Sequence, residues 1–441
     1  MKEFVTDKQT LDDLNILGRY KTNSIFSLFN QTVTMGGSRL LEKMFQHPLT
    51  SSDAINTRTE IFAFFERIKV SLPFDADDFE VVENYLRSPQ SGNRLVAAMN
   101  ITKSRLLNYL INDKEYLVLQ AGLHMTIEVL SRVKELFAVI EKESVNTIYH
   151  GKAVKLNSLL SGRHLYPLWQ CADQQQITFK QIVKLDYVIR SLLNEQLNNL
   201  IRDLYELDVY IAVSDVSRER SFVYGKAEDR EDKFIDLKGV YHPCIPNAIG
   251  NDVYIGNEKN VFFLTGANMA GKSTLMKSIA TSVYLGHMGF PVAAREMTFS
   301  LHDGIYTSIN VPDNLAMGYS HFYAEVLRVK HVAEEVASGK QLLIIFDELF
   351  KGTNVKDAYD GTVSIVDAFS RKKGTFIIST HIMEAGETLR ASNKKLFFKY
   401  LPTIMAGHIP TYPYILEDGI TDDRHGMIII KNEGILEIIN S

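Results

Sequence analysis

Cysteine is nearly absent from this chain. Cys171 and Cys244 are the two it has in 441 residues, far apart and with no CxxC pair. That excludes a disulfide framework and a cysteine-ligated zinc site, and it fits a reducing compartment. Positive charge is not in excess either. Lys and Arg total 48 against 53 Asp and Glu, a net charge of -5, so the overall basic field of many nucleic-acid binders is missing and any DNA contact has to be local. No apolar run approaches the roughly 18 residues that a membrane-crossing helix needs. Met1 to Tyr20 carries Asp7, Asp12 and Asp13 where a leader would be basic and then apolar, so the sequence reads as cytoplasmic, with no membrane contact. Eleven prolines and 26 glycines lie thinly spread, without repeats or low-complexity tracts, which excludes fibrous and disordered classes. What is present suits two or three folded domains, since 45% of the residues are hydrophobic.

The periodicity changes partway along. From Thr22 to about Ile211 apolar residues recur at three and four, whereas beyond Asp252 short β-branched runs alternate with helical patterns and glycine turns. The charged stretch from Asp215 to Lys238 reads as a connector or an exposed hairpin. This gives an all-α part, 1–235, followed by an α/β part, 236–441. Two long helices are expected in the first. Leu119, Leu123, Leu130, Val133, Phe137 and Ile140 share one face; Leu185, Ile189, Leu193, Leu197, Leu200, Leu204, Leu207 and Ile211 share another. With no Pro or Gly from Thr178 to Ile211, the second reaches about 50 Å if unbroken. Periodicity alone allows either a lever or two ordinary core helices of a bundle.

The chemistry lies in the second part. Val261-Phe-Phe-Leu-Thr265 reads as a buried strand running into Gly266-Ala-Asn-Met-Ala-Gly271-Lys272-Ser273-Thr274, which opens a helical pattern through Leu275, Ile279 and Val283. This is GxxxxGK[ST] in its strand-loop-helix context. Gly266 and Gly271 let the backbone curl around a phosphate chain, Lys272 reaches the β- and γ-phosphates, and the Ser273 hydroxyl suits Mg²⁺. A second apolar strand, Leu342 to Phe346, ends in Asp347-Glu348. Carboxylates at the end of a parallel strand stand where ligands collect, Asp347 suiting the Mg²⁺ shell and Glu348 the attacking water. A third strand, Thr375 to Thr380, ends in His381, a candidate hydrogen-bond donor to the γ-phosphate or its water. No Asn/Thr-Lys-x-Asp loop supports a GTPase, and the loops after Asp347 lack the arginines of a small-molecule kinase lid.

Together these residues resemble the MutS family of DNA mismatch repair ATPases. Thr265-Gly-Ala-Asn-Met-Ala-Gly-Lys-Ser-Thr274 is similar to that family's TGPNMGGKST, including Asn268 and Met269, which the generic loop does not require. Asp347-Glu-Leu-Phe-Lys-Gly-Thr353 resembles DEIGRGT, and Ser379-Thr-His381 resembles ATH. Tyr241-His242-Pro243 resembles the RHP at the domain entrance, and Leu416 to Gly419 with His425-Gly426 the late VQDG and SYG elements. In the first part Leu11-Asp12, then Thr32 to Leu41, His47-Pro48-Leu49 and Ile55-Asn56 are similar to the family's core domain. The resemblance implies an α/β P-loop NTPase domain of the ABC/MutS type preceded by an all-α core and lever domain. It further implies ATP and Mg²⁺ as cofactors, lever helices, a homodimer, and DNA as the ligand class. Ser320, in the stretch Asp313 to Glu325 similar to DDLASGRSTFMVE, falls in the loop that reaches the partner's nucleotide in that family.

Departures qualify the expectation. The chain starts where the family's third domain starts, which suggests that the mismatch-reading and connector domains are missing, and residues 145–177 show no counterpart of the clamp. Mismatch reading is therefore not expected of this chain alone, and a separate DNA-binding or repair protein is a possible partner. The alternative is an assembly or signalling ATPase whose levers grip a protein. Tyr319 and His321 replace the trans loop's Arg and Thr. The family's adenine platform, an aromatic and an Ile in PFIAN, reads Asn247-Ala248-Ile249-Gly250-Asn251 here. Ile249 keeps one wall, and Tyr414, near the position of the family's late His, either stacks on the base or packs as an ordinary strand aromatic.

Overall fold

A computed structural model of the chain describes residues 3–18, 23–88, 94–172, 174, 177–309, 321–406, 409–421 and 438–439. Two compact units divide it. One gathers Met1–Leu28, Met44–Thr59 and Ser217–Ser441, the other Phe29–Lys43 and Glu60–Val216. This differs from the single cut expected near residue 235. The charged stretch that suggested a connector begins as the last turn of a helix, Asn194–Arg220, and continues as short strands, Val223–Tyr224 and Lys226–Glu228.

Among its described residues the second unit is helical. Its 29-residue helix Glu115–Glu143 buries Leu123, Leu130, Val133, Phe137 and Ile140 of the stripe expected from the periodicity, while Leu119 is only half-buried. The expected second helix is interrupted. Phe179–Tyr187 starts at a capping box of Thr178 and Gln181, passes into a π turn at Val188–Leu192, and resumes as Asn194–Arg220. The π turn sits beside a buried polar cluster. Arg190 donates through Nε to Asp186 at 2.7 Å, and the Tyr85 hydroxyl donates to the same carboxylate at 2.9 Å. An uninterrupted leucine stripe carries no sign of the extra residue that such a turn accommodates. A second buried carboxylate, Asp208, accepts from the Val33 N–H at 2.9 Å and from the Thr34 N–H and hydroxyl, both at 2.7 Å. Those contacts fix residues that open the helix containing Met35 to Lys43.

The first unit centres on a six-stranded sheet. From one edge its strands are Glu417–Asp418, Leu396–Leu401, Val261–Gly266, Thr375–Ser379, Leu342–Phe346 and Gly304–Ser308. All pair in parallel except the first, which is antiparallel. The three strands read from the sequence are adjacent, with 375–379 between the other two, and every residue of all three is buried. Their uninterrupted apolar runs reflect a sheet covered on both faces. The N-terminal segment belongs to this unit. Val5 bridges Gly304 in parallel, where a Cβ on Gly304 would lie 2.0 Å from the Val5 carbonyl oxygen, so only glycine fits. Asp13 accepts from the Thr307 hydroxyl at 2.7 Å and the Ile309 N–H at 3.0 Å. No helix among the described residues is long and apolar enough to cross a membrane.

Two fully buried histidines link helix Lys272–Met288 to the sheet. The His302 N–H donates to Nε2 of His287 at 3.1 Å, so His287 carries its proton on Nδ1, 3.0 Å from the Leu49 carbonyl. Nδ1 of His302 faces the Ser300 carbonyl at 3.0 Å, and its Nε2 is 3.0 Å from the Thr375 hydroxyl. Both rings are thus neutral donor-acceptor links. Burial lowers the pKa of His287 to about 4 and that of His302 to about 3. Unfolded, both titrate near the ordinary histidine value of about 6.5, so the unfolded chain binds protons that the folded one does not. Stability is therefore full above pH 6.5 and falls as the pH drops toward 4, with a slope approaching about 1.4 kcal/mol per pH unit for each histidine. Chemical denaturation between pH 7.5 and 4.5 measures the slope, and His302→Gln should reduce it; an unchanged slope in that variant would remove His302 as a cause.

Candidate functional site

The 261–266 strand leaves the sheet through Gly266, at φ 143°, and the loop closes at Gly271, φ 97°, the N-cap of helix Lys272–Met288. Neither angle suits a side chain. A Cβ on Gly271 would also come 3.0 Å from the Tyr414 ring. Lys272 is buried, and its ammonium folds back to donate to the carbonyls of Gly266 at 2.8 Å and Ala267 at 3.1 Å. Burial holds its pKa below the usual lysine value, with Glu348 and Asp347 acting in the opposite direction. The result is a desolvated cation at the start of a helix, whose first N–H groups have no intrahelical partners.

The Asp347 carboxylate meets this segment through the Ser273 hydroxyl. Ser273 Oγ donates to Asp347, and Ser379 Oγ donates to the other oxygen of the same carboxylate at 2.5 Å. Ser379 also accepts, through Oγ at 3.1 Å and through its carbonyl at 3.2 Å, from the Glu348 N–H. Glu348 has a left-handed backbone, φ 57°, a conformation that disfavours side chains other than Asn and Asp. One serine therefore anchors both acidic residues.

A cavity of about 690 Å³ opens beside them, within the range of small-molecule and cofactor sites, roughly 300–1,000 Å³. Asn268, Met269, Gly271, Lys272, Ser273, Thr274, Glu348, Ile249 and Tyr414 all line it. Tyr414 is 44% exposed and lies between strands, so it is not the packed strand aromatic of the second reading. Asn251 holds it there, donating to the Tyr414 carbonyl at 2.8 Å and accepting from the Leu416 N–H at 2.7 Å. Gly266, Asp347 and His381 are not among the lining residues, and His381 is exposed. Ser320 lies outside the described residues.

Sequence reasoning assigned no role to several other lining residues, among them Ile245, Leu401 and His242. The pKa of His242 is lowered by burial and then by nearby Lys277. Leu401, at the end of the 396–401 strand, shows no periodicity that distinguishes it from core. The two roles of Ser379 were also missed. The signal available was its place in the Ser-Thr-His run, where the similar family motif has alanine.

These observations define a class: a parallel α/β sheet with a glycine-rich loop between a central strand and its helix, in a chain that also has a helical unit. Comparison with known proteins narrows it. The family model described as MutS domain III matches residues 9–214, and that described as MutS domain V, the family's ATPase domain, matches residues 262–440. The chain belongs to the MutS family. It is 27% identical over 276 residues to the DNA mismatch repair protein MutS of Halalkalibacterium halodurans, covering 59% of this chain and 31% of that protein. It is 26% identical over 267 residues to the protein of the same name in Geobacillus thermodenitrificans, covering 57% and 29%. For that of Bacillus mycoides the identity is 28% over 266 residues, again covering 57% and 29%. The matched region is thus about a third or less of each relative's own length.

Ser379→Ala should remove the Oγ bonds to one oxygen of Asp347 and to the Glu348 N–H, which keeps its bond to the residue 379 carbonyl at 3.2 Å. A hydrogen bond to a charged group contributes about 1.5–3 kcal/mol, and water at the cavity edge recovers part of it. The expected loss is about 1–2 kcal/mol in urea denaturation, with Ser379→Thr retaining most of the stability. Equal stability of Ser379→Ala and the unaltered protein would show that these bonds contribute nothing net.

Proposed function

We propose that this chain binds ATP with Mg²⁺ in the 690 Å³ cavity and hydrolyses it. The observation that carries the reading is that a buried lysine, Ser273 and Glu348 line one cavity at the ends of adjacent parallel strands, with the Asp347 carboxylate joined to Ser273. The donor set fits the cofactors. Ser273 Oγ and an Asp347 oxygen already touch, giving the hard oxygen ligands that Mg²⁺ prefers alongside phosphate and water. When bound, Mg²⁺ would neutralise charge on the phosphates. Lys272 would exchange its bonds to the Gly266 and Ala267 carbonyls for phosphate oxygens. Glu348 would orient the attacking water and accept its proton, its backbone held by Ser379. His381 would have to turn toward the cavity to donate to the γ-phosphate. Asn268, Met269 and Thr274 would wrap the phosphates, and the base would lie between Tyr414 and Ile249.

Family membership supports the wider reading, in which nucleotide state in a homodimer, with Ser320 completing the partner's site, moves the long helices as levers during a DNA transaction in the cytoplasm. The rival, an ATPase whose levers grip a protein, draws on the net charge of -5. DNA affinity that falls steeply with salt supports the first, because phosphate contacts release counterions. Salt-independent or absent DNA binding would favour the rival. Specific activity that rises with protein concentration would support shared sites, whereas a constant rate from a proven monomer would remove them.

Lys272→Ala should lose nucleotide affinity. Glu348→Gln should keep it while slowing hydrolysis by about 10²–10⁴-fold, the usual share of general base catalysis. Hydrolysis at the unaltered rate in Glu348→Gln would refute its role. Stacking of a base on an aromatic ring is worth about 1–3 kcal/mol, so Tyr414→Ala should weaken ATP binding by about fivefold or more while Tyr414→Phe retains it. Unchanged affinity in folded Tyr414→Ala would reject stacking.

A further inference from the structure

The helix Arg94–Ile111 is inverted relative to an ordinary surface helix. Its buried face is small, consisting of Ala97, Ile101 and Ser104, whereas Leu95, Met99, Leu106 and Tyr109 are 77%, 71%, 56% and 88% exposed. With Thr102 the outward residues follow one another at intervals of four, three, four and three: Leu95, Met99, Thr102, Leu106, Tyr109. That is the a/d seam of a coiled coil, which keeps one stripe facing a partner helix over three turns or more. Thr102 does not break it, because its hydroxyl donates within the helix to the Ala98 carbonyl at 2.7 Å. Single exposed apolar residues need no explanation, but a continuous seam of them marks an interaction surface.

Charge indicates what covers it. Lys103 and Arg105 occupy the two edges of the seam, both are exposed, and the helix contains no acidic residue. Arg105 is held at its edge by stacking over the Phe179 ring, 4.7 Å from the centroid. Glu115, the first acidic residue of the following helix, accepts from Ser104 at 2.7 Å, on the buried face. A second copy of this helix offers no carboxylate to either cation, so self-pairing lacks charge complementarity.

We propose that the outward face of the 94–111 helix is a docking site for an amphipathic helix of another protein, one with an apolar heptad seam flanked by Asp or Glu. The assignment is independent of the nucleotide chemistry. Leucines fill the partner's a and d positions against Leu95, Met99, Leu106 and Tyr109, and carboxylates at its flanks pair with Lys103 and Arg105.

The test uses the full chain and two fluorescein-labelled three-heptad peptides, Leu at a and d in both, with Glu at the flanks of one and Lys at the flanks of the other. Fluorescence anisotropy should show the Glu-flanked peptide binding about tenfold or more tightly than the Lys-flanked one. The double substitution Met99→Glu, Leu106→Glu should abolish that binding with Tm unchanged, since both residues are exposed. Lys103→Glu with Arg105→Glu should reverse the peptide preference. Three results would each overturn the proposal: equal binding of both peptides, or of neither; self-association that the Met99→Glu, Leu106→Glu protein loses, which would make the occupant a second copy; and sedimentation with phosphatidylserine vesicles, lost in the same variant, without peptide binding.

Discussion

The parallel register of three strands is the constraint on which the site depends. Ser379 lies opposite Leu264 on one side, and Ile378 lies opposite Phe346 on the other. This alignment lets the glycine loop, the two carboxylates and Ser379 emerge at the same edge. A slip of one residue would turn every side chain of a strand to the other face and separate Asp347 from both hydroxyls that bind it. The neutral histidine pair and the N-terminal bridge to the 304–308 strand secure parts of the same frame from positions remote from the cavity. Packing far from the chemistry thus sets distances within it.

Much of this was legible in the sequence because buried parallel strands leave a plain signature. Val261 to Gly266, Leu342 to Phe346 and Thr375 to Ser379 are continuous apolar runs bounded by glycine, acid or histidine, and each is a strand at or within a residue of the limits read. The loop residues were equally readable, since few other patterns demand two glycines at that spacing before Lys-Ser. The π turn at 188–192 was not, because leucine spacing either side of it continues without a break. Nor was the assignment of the first 28 residues to the sheet unit. That depends on single hydrogen bonds, such as Asp13 to Thr307, joining residues nearly 300 apart. His381 illustrates the limit from the other side: the strand that it follows was legible, but its exposure outside the cavity lining was not.

The two units reach stability differently. In the sheet unit the central strands are buried throughout and the polar links are few and specific. The helical unit has deep apolar stripes, as on Glu115–Glu143, alongside buried charged clusters such as Asp186, Arg190 and Tyr85. Removing the Asp186 carboxylate would take the acceptor from both the Tyr85 hydroxyl and the Arg190 Nε in a desolvated setting, so these groups constrain geometry more than they contribute net stability. The outward apolar seam on 94–111 was invisible in the sequence for a related reason. A heptad of apolar residues looks the same whether it faces a core or solvent, and only the position of Ala97, Ile101 and Ser104 on the inner side distinguishes the two.

The contacts of Val5, Thr10 and Asp13 with the strand 304–308 also bear on how the chain is made. A ribosome releases these residues well before the strand they join, for their partners arrive some 300 residues later, when the entire helical unit has already been synthesised. Until then the N-terminal segment has no strand edge to join, and Asp13 has neither the Thr307 hydroxyl nor the Ile309 N–H to bind. Completion of the sheet unit is therefore a late, long-range closure with a high entropic cost. The helical unit can form during that delay from contacts already available to it. A fragment starting at residue 217 would contain the whole glycine loop and both carboxylates, but its 304–308 strand would have an open edge where Val5 should lie.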